Sequence, residues 1–368
     1  MTTERLPRLV LFAAPETSAG VLYGLYDVLA SVGIAWPDMT SASPGEALLD
    51  VRIVAATAEP FRCYGGIRIE PHAAIADIHD ADVVVIGDMF TPIDAPPRGR
   101  YEREGAWLRA MHERGALIAS VCAGSLLLAE SGLLDGRSCA GHWAYADLFA
   151  SSYPRVRFDA GSILDLSSEQ AGVVTAGGAT SWQELALYLV GRYCGPVHAA
   201  RTAKVHLLAG HEDGQQPFSA MVRRAQLEDR AVADSVAWIE AHYTTGNPVA
   251  TMAQHSGLTP RTFARRFQAA TGRRPIDYVH ALRIERARER LEAGDESIDD
   301  IGFEVGYADP TFFRRLFKRV TGLTPAAYRR KYAPLLGVGH GRVAGATDVD
   351  PMPERRATGG SPELRVSP

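Results

Sequence analysis

The chain has 368 residues, of which 46% are hydrophobic and 22% are charged, and its formal net charge is −4 at pH 7. This length allows two domains with complete cores, and the composition is ordinary for a soluble globular protein. The apolar run at residues 9–14 is far shorter than a membrane-spanning helix and has no small-residue cleavage site after it. We therefore predict no membrane contact, no signal peptide and a cytoplasmic, nucleoid-associated location.

The first 196 residues alternate short apolar runs with helical patterns. Runs rich in Val, Ile and Leu are typical of strands that are covered on both faces. Their alternation with helices predicts an α/β domain with a mostly parallel sheet in a flavodoxin-like, three-layer sandwich. The predicted strands are residues 9–14, 51–56, 83–87, 117–121 and 173–175, and the predicted helices are residues 23–32, 105–114, 125–131 and 182–193.

The four cysteines do not form a C-x-x-C pair and lack the histidine spacing of a zinc site. This usage indicates a reducing cytoplasm and no structural metal. We also predict no cofactor. Cys63, Cys139 and Cys194 are expected to be ordinary buried small residues. Cys122 differs from them because of the segment in which it lies.

Cys122 stands where a buried strand turns directly into an apolar helix, in the segment Val121-Cys122-Ala123-Gly124. Such a corner places a nucleophile at the carboxyl edge of the sheet, and the helix N-terminus lowers the pKa of a thiol there. His142 follows twenty residues later and offers an imidazole to the same site. The alternatives are that Cys122 is only the small residue that the corner tolerates, and that His142 is a structural histidine beside Trp143.

Four motifs in this order resemble the PfpI-like branch of the class I glutamine amidotransferase superfamily. The resemblance implies an amidotransferase-like sensor or dimerisation domain over residues 1–196. The motifs are the Cys122 corner, Gly132-Leu133-Leu134-Asp135-Gly136, His142-Trp143 and Val174-Thr175-Ala176-Gly177-Gly178.

Two departures from that family weaken an enzymatic interpretation. Val21 stands where the family commonly has a carboxylate near the cysteine, and Gly87-Asp88 replaces a Gly-Gly pair that supplies backbone donors. The carboxylate of Asp88 would oppose a developing oxyanion. We therefore do not expect an enzyme, and we predict an effector site or nucleophile corner that consists of Cys122, Ala123, His142 and Asp88.

Residues 197–230 are predicted to connect two domains. They contain a helical pattern at 197–209 and a Gly-rich, Pro-containing hinge at 210–219. A second domain is predicted over residues 231–333, with its first helix at 232–242. The composition then turns to Gly, Pro, Arg and Asp, which predicts a disordered tail over residues 334–368.

The second domain contains one helical pattern twice, at a constant offset of 50 residues, as Phe267 and Phe317 illustrate. Each copy has a short helix, over residues 249–256 or 298–305, that ends at a glycine. A capping residue and a proline then start a second helix, at Thr259-Pro260 and Asp309-Pro310. In each second helix, phenylalanines four residues apart define a buried face and arginines lie opposite. This arrangement predicts two helix-turn-helix units.

These two units, the linking helix over residues 276–293 and the segment from Gly306 to Pro325 resemble the DNA-binding domain of the AraC/XylS family of transcription regulators. The resemblance implies an all-α domain whose two arginine-bearing helices enter neighbouring major grooves of promoter DNA. Regulators that join such a domain to a PfpI-like domain form a subgroup of that family. By that resemblance we expect a homodimer through the N-terminal domain, a small-molecule effector and, for an activator, contact with RNA polymerase.

The charge distribution agrees with double-stranded DNA as the partner. Residues 231–333 hold 16 Lys and Arg against 12 Asp and Glu, a net charge of +4 in a chain of −4. A basic module on an acidic body is the footprint expected for phosphate contact, although arginine stripes are often only a solvated helix face. The predicted base contacts are Arg265 and Arg315, with Arg261, Thr262, Ala264, Pro310, Thr311 and Arg314 beside them, and the predicted phosphate contacts are Arg273, Arg274, Lys318 and Arg319.

Two other functions are consistent with these patterns. One is a cysteine-dependent hydrolase or hydratase that carries a DNA-binding domain, which requires a depressed pKa for the Cys122 thiol. The other is an N-terminal domain that only dimerises, which predicts regulation indifferent to changes around Cys122.

Overall fold

The structure is a computed structural model, and it describes residues 5–40, 44–208, 214–215 and 229–336. Within these ranges, no helix is both long enough and apolar enough to span a bilayer. Most of the predicted hinge and residues 337–368 of the predicted tail lie outside the described residues. The last helix extends to Leu336, three residues into the segment predicted as tail.

The N-terminal region alternates strands and helices as the apolar runs predict. Its strands are β1 Arg8–Phe12, β2 Asp50–Ala55, β3 Phe61–Arg62, β4 Arg68–Ile69, β5 Ala73–Ala74, β6 Val83–Ile86, β7 Leu117–Val121, β8 Ser138–Ala140, β9 Arg157–Asp159, β10 Leu164–Asp165 and β11 Val173–Ala176. Its helices are α1 Ala19–Ala30, α2 Ala35–Thr40, α3 Glu102–Glu113, α4 Gly124–Glu130, α5 Ala146–Ser152, α6 Trp182–Cys194 and α7 Pro196–His206.

Seven strands form the main sheet in the order β10-β11-β7-β6-β1-β2-β5. All neighbouring pairs are parallel except β10 with β11. The mostly parallel sheet is therefore confirmed. The chain leaves β1 toward β2 and later returns on the other side of β1 as β6, so the strand order reverses at β1. In such sheets, ligands bind at the carboxyl ends of the strands beside this reversal.

The apolar runs are continuous because helices cover both faces of the sheet. Along β1, Leu9 and Leu11 pack in the cluster that contains residues of α1 and α6, whereas Val10 and Phe12 pack with residues of α3 and α4. Each fully buried side chain of this size contributes about 1.5–3 kcal/mol of burial free energy. The three-layer sandwich predicted from the sequence is confirmed.

The predicted boundaries shift by a few residues. The helix predicted at 23–32 begins at Ala19, because the chain turns into it directly after Ser18. All five predicted strands are present, with ends that differ by at most two residues, and the strand predicted at 117–121 matches at both ends. The six strands that were not predicted have two or three residues each, which is too short for an apolar run to indicate them.

The C-terminal region is entirely helical in the described residues. Its helices are α8 Arg230–Ala241, α9 Pro248–His255, α10 Pro260–Thr271, α11 Pro275–Ala293, α12 Ile298–Glu304, α13 Pro310–Thr321 and α14 Pro325–Leu336. Two hydrophobic clusters form, one for each predicted unit. Helix α11 serves both, since Val279 and Leu282 belong to the first cluster and Ile284 and Leu291 to the second.

A buried arginine in the middle of α11 joins the two units. Arg283 is only 6% exposed and donates hydrogen bonds to the carbonyl oxygens of Tyr243, Thr245 and Gly306 at 2.7–2.8 Å. A buried charge is tolerated only when its donors are satisfied in this way. The guanidinium of Arg283 therefore binds both the loop after α8 and the turn after α12.

Candidate DNA-binding surface and effector site

Both helix-turn-helix units have the local structure that their sequences predict. Gly257 and Gly306 end the short helices with φ angles of 67° and 95°, a left-handed conformation that suits glycine. The Asp309 carboxylate accepts a hydrogen bond from the Thr311 amide at 2.8 Å, and Thr259 caps α10 more weakly at 3.4 Å. Gly302 is required by packing, because a Cβ there would lie 2.9 Å from the ring of Phe313.

The second helix of each unit has one buried and one exposed face. Phe263 and Phe267 of α10, and Phe313 and Phe317 of α13, are completely buried. The opposite face is polar and basic. Arg261, Arg265, Thr311, Arg314 and Arg315 are exposed there, and Thr262, Ala264 and Pro310 are half-buried.

The arginines on this surface differ in their partners. Arg265 and Arg315 form no ion pair with any residue that the structure describes. Nη2 of Arg314 lies 2.6 Å from Oδ1 of Asp299 in the preceding helix. Adjacent to Arg265, Arg266 forms a two-pronged pair with Asp229, both distances being 2.7 Å. Arg261, Arg265 and Arg315 are thus exposed on this surface without an ion-pair partner in the part of the chain that the structure describes.

The predicted phosphate contacts all lie on exposed positions. Arg273, Arg274, Lys318 and Arg319 stand near the ends of α10 and α13. Arg274 also forms two hydrogen bonds with Asp277, at 2.6 and 2.9 Å, and these bonds hold the pKa of Asp277 below its usual value. The positive charge of Arg274 is therefore partly offset by its neighbour.

The Cys122 corner has the geometry predicted for a nucleophile elbow. Cys122 has a φ of 56°, which few residues other than glycine adopt, and such a conformation costs on the order of 1–2 kcal/mol. Two residues later, a Cβ on Gly124 would lie 2.5 Å from the carbonyl oxygen of Gly87. The turn can therefore form only with a glycine at position 124.

The thiol itself lies in an environment that disfavours its ionisation. Cys122 and Asp88 are 5% and 6% exposed. Burial raises the pKa of the Cys122 thiol well above its ordinary value, and the charge and hydrogen bond of Asp88 raise it further. The backbone N–H of Ala123 acts in the opposite direction but is outweighed. The lowered thiol pKa predicted from the helix N-terminus is therefore wrong, because desolvation and a neighbouring carboxylate outweigh the helix.

His142 has a structural contact in the adjacent loop. Its Nδ1 accepts a hydrogen bond from the Ala144 amide at 3.1 Å, which caps a short 3-10 helix, and its ring packs against Trp143 at 5.0 Å between centroids. Tyr145 follows in the same helix and is the residue that the sequence reasoning missed. Burial raises its pKa, and the charges of Cys122 and Asp88 add to this effect, so the phenol lies within electrostatic reach of both.

A separate cavity of about 310 Å³ opens at the carboxyl ends of β1 and β2. Glu16 lines it, is 9% exposed, accepts a hydrogen bond from the Tyr101 hydroxyl at 2.8 Å and pairs with Arg100. Most of the remaining lining is apolar, including Phe12 and Phe61. Of the described residues that line the cavity, none belongs to the set predicted around Cys122.

The loop that lines the cavity at Glu16 is hydrogen-bonded to the loop that carries Asp88 beside Cys122. The Phe90 amide donates to the carbonyl oxygen of Glu16 at 2.8 Å, and the Ser18 amide donates to that of Asp88 at 2.9 Å. These bonds join the loop after β1 to the loop after β6, where the strand order reverses. The loop that carries Glu16 and the loop that carries Asp88 are therefore joined directly by backbone hydrogen bonds.

Gln215, which the sequence places in the hinge, is packed into the α/β domain. Its side chain is 3% exposed, and Nε2 donates to the carbonyl oxygens of Gly141 at 2.9 Å and Ser162 at 2.7 Å. A Cβ on Gly177 would lie 2.3 Å from this Nε2, so the glycine pair after β11 makes room for the amide. Within the segment predicted as a hinge, the amide of Gln215 is therefore anchored to the α/β domain by two backbone carbonyls.

Two family profiles match the chain in the order of these structural regions. The DJ-1/PfpI family matches residues 25–191, and a helix-turn-helix domain matches residues 252–331. The HTH-type transcriptional regulator CdhR of Pseudomonas aeruginosa is 25% identical over 75% of this chain and 80% of its own length. GlxA of Rhizobium meliloti, also an HTH-type transcriptional regulator, is 26% identical over 61% of this chain and 68% of its own length. A putative AraC-like transcription regulator of Streptomyces lividans is 31% identical over 36% of this chain and 43% of its own length.

The chain is an AraC-type transcription regulator with a DJ-1/PfpI domain. Among solved structures, an AraC family transcriptional regulator from Pseudomonas putida is 17% identical to it, with a TM-score of 0.44 over 54% of this chain and 99% of that chain. The DNA-binding domain of AdpA in complex with a target DNA is 34% identical, with a TM-score of 0.29 over 30% of this chain and 98% of that domain.

The remaining cysteines of the regulator have the positions expected of structural residues, with one exception. Cys63 and Cys139 are buried, and burial raises the pKa of Cys139 to about 12. Cys194 is half-buried, not buried, because it lies in the last turn of α6. Within the described ranges, no three histidine, cysteine or acidic side chains are grouped closely enough to hold a metal ion.

Proposed function

We propose that the regulator reads double-stranded promoter DNA with α10 and α13, each in a major groove. The observation that carries this proposal is the pair of exposed arginine faces, repeated at an offset of 50 residues and opposite two buried phenylalanine pairs. The arrangement matches the general geometry of a helix-turn-helix, in which the second helix enters the groove.

Arg265 and Arg315 are the principal base contacts in this proposal. Each is exposed and lacks an ion-pair partner among the described residues, so its planar fork can form two hydrogen bonds to a guanine edge. Ala264 offers only an apolar contact to a thymine methyl. Arg261, Thr262, Pro310, Thr311 and Arg314 complete the two faces, and Arg273, Arg274, Lys318 and Arg319 contact phosphates, which position the protein without specifying sequence.

The test begins with selection of an operator from random duplex DNA by the full chain. Arg265→Ala and Arg315→Ala should each weaken operator binding by about 1–3 kcal/mol and relax the base preference at one position. Arg330→Ala removes the same charge from an exposed position on α14 and should leave every base preference unchanged. If both groove variants keep the affinity and the preferences of the parent protein, the groove assignment is wrong.

We further propose that a small molecule binds in the cavity at Glu16. Its volume falls in the range of ligand sites, its lining is mostly apolar with three charged groups, Glu16, Arg100 and Glu104, and it lies beside the reversal of strand order. The Glu16–Arg100 pair favours a ligand whose polar group competes for one of these partners. Homodimerisation through the N-terminal domain and contact with RNA polymerase stay predictions.

Ligand binding at the cavity is tested by thermal unfolding of the full chain in the presence of small amines and carboxylates. A ligand at 100 times its dissociation constant should stabilise the domain by about 2.7 kcal/mol. Ala56→Phe places a ring in the cavity and should abolish the stabilisation, whereas Ala150→Phe on the exposed side of α5 should not. Stabilisation that survives Ala56→Phe would place the ligand elsewhere.

Catalysis by Cys122 is not part of the proposed function. The buried thiol beside Asp88 is protonated at neutral pH, whereas a cysteine nucleophile acts as the thiolate. Asp88 also stands where donors to an oxyanion would be needed. We therefore assign the corner a structural role in holding the loop that carries Asp88.

A further inference from the structure

The two helix-turn-helix units differ at one pair of facing positions. The short helices of the two units are offset by 49 residues, as Gly257 and Gly306 show, so Ala250 corresponds to Asp299. The second helices are offset by 50 residues, so Ala264 corresponds to Arg314. The first unit therefore has two apolar side chains where the second has opposite charges. In the second unit these charges meet, with Nη2 of Arg314 at 2.6 Å from Oδ1 of Asp299.

The pair contributes little to stability. The Arg314 and Asp299 side chains are 49% and 43% exposed, and solvent screens an ion pair at such positions. The pair does, however, restrict the side chain of Arg314. Arginine has many rotamers, and a side chain that is already held loses less entropy when it binds.

The carboxylate occupies only part of the guanidinium. A guanidinium carries five N–H donors in a planar fork, so the donors that do not face Asp299 stay available. Arg314 lies on the exposed face of α13 beside Arg315, whereas Asp299 lies in the first turn of α12, behind that face. The exposed face of α13 thus carries Arg314, which is held by Asp299, beside Arg315, which has no ion-pair partner in the described chain.

We propose that Asp299 is a positioning residue that orients Arg314 to read one base pair in the groove entered by α13. This inference rests on the proposed function, in which α13 enters a major groove. The first unit has no such positioned arginine at this place, because Ala264 can offer only a methyl group. The two halves of the operator are therefore read by different chemistry, because the second unit has Arg314 where the first has only the methyl group of Ala264.

The experiment measures dissociation constants of the full chain for the selected operator and for its single-base variants. Arg314→Ala identifies the base pair that Arg314 reads, because the preference at that position is lost. Asp299→Asn should reduce that same preference from about tenfold to threefold or less, since the guanidinium is no longer held. Affinity for unrelated DNA should stay equal or increase, because a negative charge near the phosphates has been removed.

Asp300→Asn is the matched control. Asp300 is the adjacent carboxylate in the first turn of α12, but its Oδ2 accepts a hydrogen bond from the Ser297 hydroxyl at 2.6 Å. This variant removes the same charge and should keep the preference at the Arg314 base pair. In the Arg314→Ala background, Asp299→Asn should change no base preference, as expected if the two residues act as a unit.

Three results would overturn the inference: an unchanged preference in Asp299→Asn, an equal loss in Asp300→Asn, or no preference that depends on Arg314. Failure of the proposed function has a different signature, because Arg265→Ala and Arg315→Ala would then leave operator binding intact. Circular dichroism melting of each variant confirms that α12 and α13 stay folded, so a lost preference is not mistaken for lost structure.

Discussion

The candidate functional groups of the helical domain are exposed to solvent, whereas those at the Cys122 corner of the α/β domain are buried. Arg265 and Arg315 stand on exposed helix faces above buried phenylalanines, while Cys122 and Asp88 are almost completely buried at a sheet edge. Exposed guanidinium groups suit a polyanion that arrives from outside. A buried thiol beside a carboxylate suits neither a polyanion nor a nucleophile that must ionise.

Because of this difference, the effect of a substitution can be assigned to a single cause in one domain more easily than in the other. On an exposed helix face, a side chain can be removed with little effect on folding, so a lost activity reports on contact with DNA. At the enclosed edge of the sheet, each change also alters burial and hydrogen bonding. Experiments on the α/β domain therefore need a readout of ionisation or ligand binding in addition to one of regulation.

Arg283 and Arg288 are buried exceptions in the helical domain, and of the substitutions proposed here the replacement of Arg283 should have the largest effect on stability. Arg283→Met leaves the carbonyl oxygens of Tyr243, Thr245 and Gly306 without their donor. Buried acceptors without a partner are costly, so we expect a loss of about 3–5 kcal/mol in the free energy of unfolding. Hydrogen exchange of α11 amides in the full chain measures this loss separately from the α/β domain.

Arg286→Met is the control for that experiment. Arg286 lies on the same helix and pairs with Glu289 at the surface, at 2.9 Å, so its removal should cost less than about 0.5 kcal/mol. Equal effects of the two substitutions would mean that Arg283 is not the residue that joins the two units.

The pH dependence of Cys122 alkylation by iodoacetamide tests the buried site of the α/β domain. The expected effect is smaller than the effect of Arg283→Met on stability. The alkylation rate, corrected with Cys122→Ser, should stay low through pH 8.5, because burial and Asp88 raise the thiol pKa. Asp88→Asn removes the like charge, so the profile should move to lower pH. A parent thiol that titrates below about 8.5, the ordinary value, would restore the enzymatic alternative.

The raised pKa of the Cys122 thiol also determines the direction in which the stability of the α/β domain changes with pH. The unfolded thiol ionises near pH 8.5, whereas the folded thiol of Cys122 keeps its proton to higher pH. Above that pH the folded state binds more protons than the unfolded state. The free energy of unfolding of the α/β domain should therefore decrease as the pH rises above about 8.5.

The sequence was sufficient where function follows from local periodicity. Phe263, Phe267, Phe313 and Phe317 are buried as their spacing predicts, and the opposite faces of α10 and α13 are exposed. The left-handed φ of Gly306 and the cap at Asp309 follow from the same local chemistry.

The sequence was insufficient where the site depends on packing between distant segments. Asp88 meets Cys122 only because β6 and β7 are neighbours in the sheet, and the resulting burial reversed the predicted direction of the thiol pKa. Tyr145 and Gln215 join that edge from segments without a motif. The Asp299–Arg314 pair could have been found by comparing the two units position by position.

The central claim, that two helices of one chain read two grooves, is tested most directly by methylation interference on the selected operator. If α10 and α13 each enter a major groove, the operator should show two blocks of guanine N7 contacts, separated by one helical turn of about 10–10.5 base pairs. Arg265→Ala should remove contacts in one block and Arg315→Ala in the other. A single block, or two blocks that neither substitution changes, would mean that α10 and α13 do not read two grooves.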